Sequence, residues 1–449
     1  MNKLINKYNV AGPRYTSYPT VPYWNEADFT KDGWTNSLIR SFNKPEHEGL
    51  SIYVHLPFCE RLCTFCGCHK RITKNHSVEG PYIDAVLKEW QLYRSILGEK
   101  PTISEIHFGG GTPTFFSVQN LTKLVKGLLE DAELTEDFEF GFEAHPGNTT
   151  LEQLTALSQL GFKRVSFGVQ DYSPTVQKAI NRIQSFEQVQ RVHEWATSLG
   201  YTSISHDLIF GLPFQTIQDI ESTIELTCQL SPDRLSFYSY AHVPWIKGVG
   251  QRGFSEADIP HGELKREFYE KGKTLLEKNG YQEVGMDHFA KKSDPLYRAL
   301  QTGNLHRNFM GYTTNTTKNL IGLGMSAISD SWFGFAQNVK SVEGYISKID
   351  DGQLPVFRGH ILTREDLIIR QHILDLMCHF KTDLVHSEID YQPILNRLKE
   401  LINDQLLTIK NQEIKVTEIG IVFIRNICMC FDLHLHEKLP SQQLFSKTI

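Results

Sequence analysis

The segment that decides the fold reads LSIYVHLPFCERLCTFCGC at residues 50–68. It opens with a short apolar run that is typical of a buried strand. Four cysteines follow within ten residues, at positions 59, 63, 66 and 68. In parallel α/β folds, ligands bind where the strands end. The segment therefore predicts a strand that leads directly into a ligand-binding loop.

The same strand-and-loop pattern recurs along the chain. Helical patterns lie between the apolar runs, as in Ile83, Val86, Leu87 and Trp90, which recur on one helical face. Strand–helix alternation implies parallel strands joined by helical crossovers. We therefore predict an α/β fold, a partial (β/α)6 barrel, with polar or glycine-rich groups following nearly every strand. The predicted strands are 50–55, 104–108, 139–143, 164–169, 203–209 and 234–240.

Three regions are predicted. Residues 1–35 lack clear periodicity but contain aromatics and prolines, which favours an ordered N-terminal arm over a frayed end. Residues 36–340 are predicted to form the barrel with an extension. Residues 341–449 are predicted to be a mainly helical C-terminal domain. Its helix–hairpin–helix order is similar to a winged helix, in which case DNA binding is the alternative to a structural or substrate-covering role.

Composition limits the classes of partner. The chain has 449 residues, 40% hydrophobic and 22% charged, as in ordinary globular proteins. Its net charge of −6 shows no basic excess, so we expect neither nucleic acid nor an anionic membrane as a partner. There is no signal-like apolar segment at the start and no run of 18 apolar residues. We expect a cytoplasmic protein whose clustered cysteines bind metal rather than form disulfides.

The cysteine spacing C-x3-C-x2-C, formed by Cys59, Cys63 and Cys66, suits an iron–sulfur cube. Three thiolates from one loop bind three of the four irons, and the fourth iron is left to chelate a small molecule. Cys68 could be a fourth ligand, but it follows Cys66 by only two residues on an already constrained loop. Zinc is the main alternative and would need a second pair of ligands, for which Cys428 and Cys430 are candidates.

This spacing is the signature of the radical S-adenosylmethionine (SAM) superfamily, with Phe65 at its usual aromatic position. Over almost its full length the chain resembles the oxygen-independent coproporphyrinogen III oxidases of bacterial haem synthesis. The motifs that carry the resemblance are AGPRYTSYP at 11–19, YVHLPFC at 53–59, CGC at 66–68, GGGTPT at 109–114, GVQD at 168–171, DLIFGLP at 207–213, GMDHFA at 285–290, HRNF at 306–309 and RNICMCF at 425–431.

The resemblance implies one [4Fe–4S] cluster on the three cysteines and two SAM molecules. Contacts to the first SAM would come from Tyr53, Gly110, Glu143 and Ile328. Contacts to the second would come from Phe65, Gly111, Thr112, Gln170, Arg182, Asp207 and Ala241, with Phe309 nearby. The alternatives are a salt bridge for Glu143 and a structural Arg182–Asp207 pair. Met310 and His145 depart from the family pattern, in which a glutamine and an aspartate are usual.

The resemblance also implies the reaction. A 5′-deoxyadenosyl radical would take a hydrogen from the β-carbon of a propionate, and loss of carbon dioxide and one electron would leave a vinyl group. Two such steps would convert coproporphyrinogen III to protoporphyrinogen IX. Arg14 and Arg307 are candidates for binding the propionates, and the arm is a candidate lid. His55, His288 and His306 are possible proton donors or substrate contacts.

The expected partner is a reducing protein such as flavodoxin or ferredoxin, and the chain is expected to be a monomer. Three other functions are weighed: a haem-trafficking relative, a radical SAM enzyme acting on another tetrapyrrole, and a zinc-dependent regulator. The trafficking relatives look shorter and lack both the arm motif and the CGC ending, so the enzyme is favoured.

Overall fold

A twelve-stranded sheet organises the computed structural model, which describes residues 2–43, 49–98, 100–245, 250–437 and 444–448. Six neighbouring strands are parallel and match the six predicted ones, which confirms the partial barrel. In order across the sheet the strands are Val356–Ile361, Gly334–Asn338, Ile328–Asp330, Leu320–Leu323, Leu50–Leu56, Thr102–Gly110, Glu133–Ala144, Phe162–Gln170, Ser203–Phe210, Arg234–Ser239, His288–Lys291 and Tyr281–Gly285.

Helices cross between the parallel strands, and local sequence explains where they begin. Thr150, Ser185 and Thr216 each cap a helix through a capping box, in which side chain and backbone satisfy each other's hydrogen bonds. The helices before and between the barrel strands are Asn2–Tyr8, Lys31–Phe42, Glu79–Leu97, Val118–Leu129, Leu151–Gln159, Pro174–Ala179, Phe186–Ser198 and Ile217–Leu230.

The remaining elements extend the barrel and build the C-terminal part. Later helices are Gly262–Lys278, Pro295–Thr302, Val342–Asp350, Arg364–His379, Gln392–Asn403, Glu418–Ile421, Ile424–Phe431 and Leu433–Glu437. Small sheets are formed by Phe58–Cys59 with Arg71–Ile72, by His306–Asn308 with Gly311–Thr313, and by Lys381–Asp383, Glu413–Val416 and Leu407–Lys410. Strands Leu407–Lys410 and Glu413–Val416 form the hairpin predicted within the helix–hairpin–helix order.

The main sheet continues past the predicted boundary at residues 340 and 341. Strand Val356–Ile361 pairs antiparallel with Gly334–Asn338 at the edge of the sheet. A second apolar core forms farther along the chain, around helices Arg364–His379 and Ile424–Phe431. The division into three regions remains a prediction.

The N-terminal arm packs into this second core. Tyr8, Tyr15 and Tyr18 are buried in it. The Arg425 guanidinium donates a hydrogen bond of 2.8 Å to the carbonyl of Pro13. A lid movement of the arm would have to expose these tyrosines, and the lid role remains a prediction.

No helix in the described part of the chain is long and apolar enough to cross a membrane.

Candidate active site

A cavity of about 420 Å³ lies at the carboxyl ends of the parallel strands. Five consecutive strands of the barrel contribute to it through their ends or the loops that follow, as parallel topology requires. The predicted site residues that line it are Cys59, Cys63, Phe65, Cys66, Gly110, Gly111, Thr112, Glu143, Gln170, Arg182 and Asp207.

The cysteine loop is held by hydrogen bonds to a neighbouring segment. The backbone N–H of Thr64 donates to the carbonyl of Ile180 at 2.9 Å. The side-chain amide of Asn181 donates to the carbonyl of Leu62 at 2.8 Å. These bonds fix the loop relative to the segment that also carries Arg182.

Hydrogen-bond donors surround the sulfur atoms. The Cys68 thiol donates to Cys66, and this bond lowers the pKa of Cys66 to about 6. The Thr112 hydroxyl donates to the sulfur of Cys59 at 3.4 Å, which lowers the pKa of that thiol. Burial outweighs this hydrogen bond and raises the pKa of Cys59 to about 11. Cys68 lines the same cavity as Cys59, Cys63 and Cys66.

The donor set fits an iron–sulfur cube better than a single zinc ion. All three cysteines are free thiols that face one cavity. Sulfurs around one zinc ion would be about 3.8 Å apart, given Zn–S bonds of about 2.3 Å. Within the described residues, the one group of three metal-ligating atoms that lie within 4.8 Å of one another consists of His360, Asp366 and His434. Cys59, Cys63 and Cys66 form no such group, so their three sulfurs do not all lie within 4.8 Å of one another.

The glycine loop packs directly against the strand that leads to the cysteines. The N–H of Gly111 donates to the carbonyl of Leu56 at 2.9 Å, and that of Thr112 donates to Phe58 at 3.0 Å. A Cβ atom on Gly111 would lie 2.6 Å from the backbone of Pro57. Because no side chain fits in that space, glycine is required for the close approach of the two loops.

Glu143 is held beside the glycine loop. Its carboxylate accepts a hydrogen bond of 3.2 Å from the N–H of Gly110 and lies 3.9 Å from His107. Burial alone would raise the pKa of Glu143, but His107 and the Gly110 N–H outweigh it and lower the pKa. The side chain is 48% exposed, so an ionised carboxylate is available to a ligand.

Arg182 and Asp207 do not form the structural ion pair considered as the alternative. Within the described residues, neither side chain forms a salt bridge, although both line the cavity. The Arg182 guanidinium instead donates to the carbonyl of Gly168 and to the sulfur of Cys63. Burial and the charge of Glu143 raise the pKa of Asp207 to about 6. A cationic ligand would stabilise the ionised carboxylate of Asp207 and so lower this pKa.

Comparisons with known proteins agree with this geometry. Residues 53–227 match the family model of the Radical SAM superfamily. The oxygen-independent coproporphyrinogen III oxidase of Escherichia coli (strain K12) is 39% identical over 99% of this chain and 98% of its own length. The enzyme of that name from Synechocystis is 36% identical over 100% of this chain and 97% of its own length. This chain belongs to the oxygen-independent coproporphyrinogen III oxidase family.

A solved structure supports the same assignment. Coproporphyrinogen III oxidase from Escherichia coli, described as a radical SAM enzyme, matches with a TM-score of 0.88 and 38% identity. The match covers 94% of this chain and 98% of that one. The predicted oxidoreductase class and the predicted cofactors, a [4Fe–4S] cluster and SAM, are confirmed by the family. The presence of two SAM molecules remains a prediction.

Four residues expected to contact SAM in this family do not line the cavity. Tyr53 lies just behind the cavity wall. Its ring and the Glu143 carboxylate lie on the same side of Gly109, since a Cβ atom on Gly109 would touch both. Ala241 is connected to the cavity wall through Gln251, which donates to its carbonyl and to that of Phe65. Phe309 and Ile328 pack together around the buried residues Trp24, Phe335 and Leu362. Their roles as SAM contacts remain predictions.

The candidate substrate residues also lie outside the cavity lining. Arg14 forms an ion pair with Asp287 at 3.2 Å. Arg307 is buried and donates to the carbonyls of Arg14 and Tyr15, both at 3.4 Å. His55 is buried, whereas His288 and His306 are half-buried, and loss of solvation lowers the pKa of all three.

Sequence reasoning missed several residues of the site. His107 lies beside Glu143 and stacks on Tyr53. The stacking follows from the sheet register, which places His107 directly opposite Tyr53 on the neighbouring strand. Strand alternation could have shown that His107 shares a face with Gly109. Lys70, which donates to the carbonyls of Cys66 and Cys68, gave no signal beyond its proximity to the motif. His145, noted only as a departure from the family pattern, lines the cavity.

Proposed function

We propose that this chain catalyses the oxidative decarboxylation of two propionate side chains of coproporphyrinogen III, giving the vinyl groups of protoporphyrinogen IX in anaerobic haem biosynthesis. One observation carries the proposal. Four free thiols, a glycine loop and three carboxylates line one cavity in a chain that matches the family along its whole length.

When bound, the cluster and SAM supply a 5′-deoxyadenosyl radical that removes a hydrogen atom from the substrate. The role of the protein is to bind the cofactors and the substrate, to orient them and to exclude water. Cys59, Cys63 and Cys66 would hold the cluster. The hydrogen bonds that Cys68 and Thr112 donate to two of these sulfurs would stabilise their thiolate forms.

The cavity offers complementary groups for SAM, which carries a sulfonium, an ammonium and a carboxylate. Glu143 and Asp207 can each counter a positive charge, and the planar guanidinium of Arg182 can pair with a carboxylate. Glu143 lies with Gly110, whereas Asp207 belongs to strand Ser203–Phe210 and Arg182 to the loop after helix Pro174–Ala179. Two groups of ligands of this kind support the proposal of two SAM molecules. Equilibrium dialysis of the reconstituted protein should give two SAM per chain, and a stoichiometry of one would contradict it.

Arg307 is the better of the two candidates for binding a substrate propionate. Its side chain is buried, and its Nη1 atom has no hydrogen-bond partner within the described residues. A buried N–H without a partner is costly, and a carboxylate oxygen would satisfy it. Arg14 is already paired with Asp287. We expect Arg307→Met to raise the KM for coproporphyrinogen III while SAM binding is retained.

The proposal is tested by anaerobic reconstitution with iron and sulfide, followed by SAM, a reductant and coproporphyrinogen III. The expected products are 5′-deoxyadenosine, protoporphyrinogen IX and two molecules of carbon dioxide per porphyrinogen. Cys63→Ser should abolish all three, and Cys228→Ser, a half-buried cysteine on helix Ile217–Leu230, should abolish none. Tight haem binding without release of carbon dioxide would instead support a trafficking function.

We further propose that a flavodoxin or ferredoxin supplies the electron and that the chain acts as a cytoplasmic monomer. Family membership supports the need for a reductant. Turnover with purified flavodoxin and its reductase should replace chemical reductant, and failure with both carrier proteins would contradict the choice of donor.

A further inference from the structure

Gln184 is a buried glutamine whose side-chain amide hydrogen-bonds to the end of strand Phe162–Gln170. Its Nε2 atom donates to the carbonyls of Gly168 at 3.2 Å and Val169 at 2.5 Å. The side chain is 3% exposed. The carbonyl of Gly168 also accepts from Arg182, so both residues share one acceptor at the cavity wall.

The strand end that Gln184 contacts has an irregular backbone. The pairing with strand Ser203–Phe210 shifts between Gly168 and Gln170, which leaves Val169 out of the regular ladder. Gln170 has a φ of +68°, in the left-handed region that is unfavourable for a residue with a side chain. A bulge of this kind redirects a side chain and persists only where surrounding contacts hold it.

Gln177 connects Gln184 to the next turn of the chain. Its Nε2 donates to the carbonyl of Gln184 at 2.7 Å and to that of Asp171 at 2.9 Å. Its Oε1 accepts from the N–H of Gln184 at 3.2 Å. Both backbone groups of Gln184 are thereby fixed, two residues after Arg182.

Gln215 extends the network to the neighbouring strand. Its Nε2 donates to the Asp171 carboxylate at 2.7 Å and to the carbonyl of Ile209 at 2.9 Å. Its Oε1 accepts from the N–H of Gly211 at 2.6 Å. Strand Ser203–Phe210, which carries Asp207, is therefore bound to the segment that follows Gln170.

We propose that Gln177, Gln184 and Gln215 form a buried amide brace that positions Gln170, Arg182 and Asp207 for SAM, with Gln184 as its central positioning residue. The proposal rests on the proposed function for its ligand. The brace joins three chain segments through amide and carbonyl groups and through the Asp171 carboxylate.

Gln153 provides a matched control for a test of Gln184. It is 7% exposed, and its Nε2 also donates to two backbone carbonyls, those of Thr114 at 3.0 Å and Phe116 at 2.8 Å. Those carbonyls belong to residues that do not line the cavity. Gln153→Met and Gln184→Met each remove an Nε2 atom that donates to two buried carbonyls, and Gln153→Met also removes the acceptor of the Thr150 N–H at 3.0 Å.

Two measurements would be made on each variant. In the protein without cluster or SAM, hydrogen–deuterium exchange of peptides covering residues 166–186 should be at least 10-fold faster in Gln184→Met only. After reconstitution, SAM affinity by calorimetry should fall at least 10-fold in Gln184→Met and less than 3-fold in Gln153→Met. Iron and sulfide content should match the wild-type protein in both.

The outcomes separate the brace from the proposed function. If Gln184→Met and Gln153→Met show equal exchange and equal SAM affinity, Gln184 is only a stabilising residue and the brace is overturned. If wild-type protein binds no SAM while Gln184→Met still loosens residues 166–186, the proposed function fails and the brace as a structural device stands. Should Gln184→Met not fold, Gln177→Met should show the same pattern to a smaller extent, and its absence would equally overturn the brace.

Discussion

The Nη1 atom of Arg182 lies 3.8 Å from the sulfur of Cys63, so one guanidinium contacts both the cysteine loop and the wall of the cavity. Its Nη2 atom is bonded to the carbonyl of Gly168. Arg182 is therefore held in place before any ligand arrives. It is well placed to influence both the cluster and the bound SAM.

Arg182→Met should weaken SAM binding by roughly 10- to 100-fold, since a hydrogen bond to a charged group contributes about 1.5 to 3 kcal/mol. Calorimetry on reconstituted protein measures this effect. Arg191→Met, at an exposed position on helix Phe186–Ser198, should leave the affinity unchanged. Equal affinities in wild type and Arg182→Met would show that the guanidinium does not contact SAM.

Asp207→Asn should stabilise the ligand-free protein while it weakens SAM binding. The pKa of Asp207 is raised to about 6, chiefly by burial, above its ordinary value of 3.8. The stability that the protonated form contributes is thus lost as pH rises from 3.8 to about 6. Removing the charge should raise the free energy of unfolding by about 3 kcal/mol at pH 8 and by about half of that at pH 5. Urea denaturation at both pH values tests this, and a variant less stable than wild type at pH 8 would contradict it.

Gly111→Ala should disrupt the site, because the new methyl group would lie 2.6 Å from the backbone of Pro57. Neither backbone segment can yield without moving the loop that leads to Cys59. We expect substoichiometric iron after reconstitution and a lower melting temperature. Gly80→Ala is the matched control, since a Cβ there meets no atom within 4 Å. A Gly111→Ala protein with full iron content and normal SAM binding would show that the contact is easily relieved.

The pH dependence of stability should carry a signature of His434. Its Nε2 lies 2.7 Å from the Asp366 carboxylate, and this bond outweighs burial and raises the pKa of His434. A raised histidine pKa stabilises the fold at low pH, and the contribution is lost as pH rises from about 6.5 through the folded pKa. His434→Gln should cost about 1 to 2 kcal/mol at pH 6 and less at pH 8.5.

Denaturation curves at both pH values measure this difference. His436→Gln, on the same short helix but exposed, should not remove the loss of stability between pH 6 and 8.5. A pH profile of His434→Gln parallel to that of the wild-type protein would rule out a charged pair with Asp366.

The barrel was predictable because each of its strands and crossovers is encoded locally. The apolar run at 50–55 and the helical pattern at 83–90 need no knowledge of distant residues. Strand Val356–Ile361 was not predicted, because its place at the sheet edge is decided by pairing with Gly334–Asn338. Helix Asn2–Tyr8 was missed because seven residues carry little periodicity, and its Tyr8 is buried by the C-terminal core instead.

Several cavity residues that carry charge or sulfur were predictable for a similar reason. Cys59, Glu143 and Asp207 follow or end strands, where chemistry concentrates in a parallel sheet. Gln184 was not predicted, because a glutamine that bonds only to backbone carbonyls has no motif or periodicity. Phe309 packs on Phe335 with ring centroids 5.6 Å apart, and its place near the ligand, which the resemblance implies, remains a prediction.

Mössbauer spectroscopy of 57Fe-reconstituted protein, with and without SAM, tests the central claim most directly. Wild type and Cys68→Ser should both contain one [4Fe–4S] cluster, and one iron of the four should change its spectrum when SAM is added. Cys59→Ser, Cys63→Ser and Cys66→Ser should each lose the cluster. A cluster that needs Cys68, or four irons that do not respond to SAM, would contradict a three-cysteine site with one iron open to SAM.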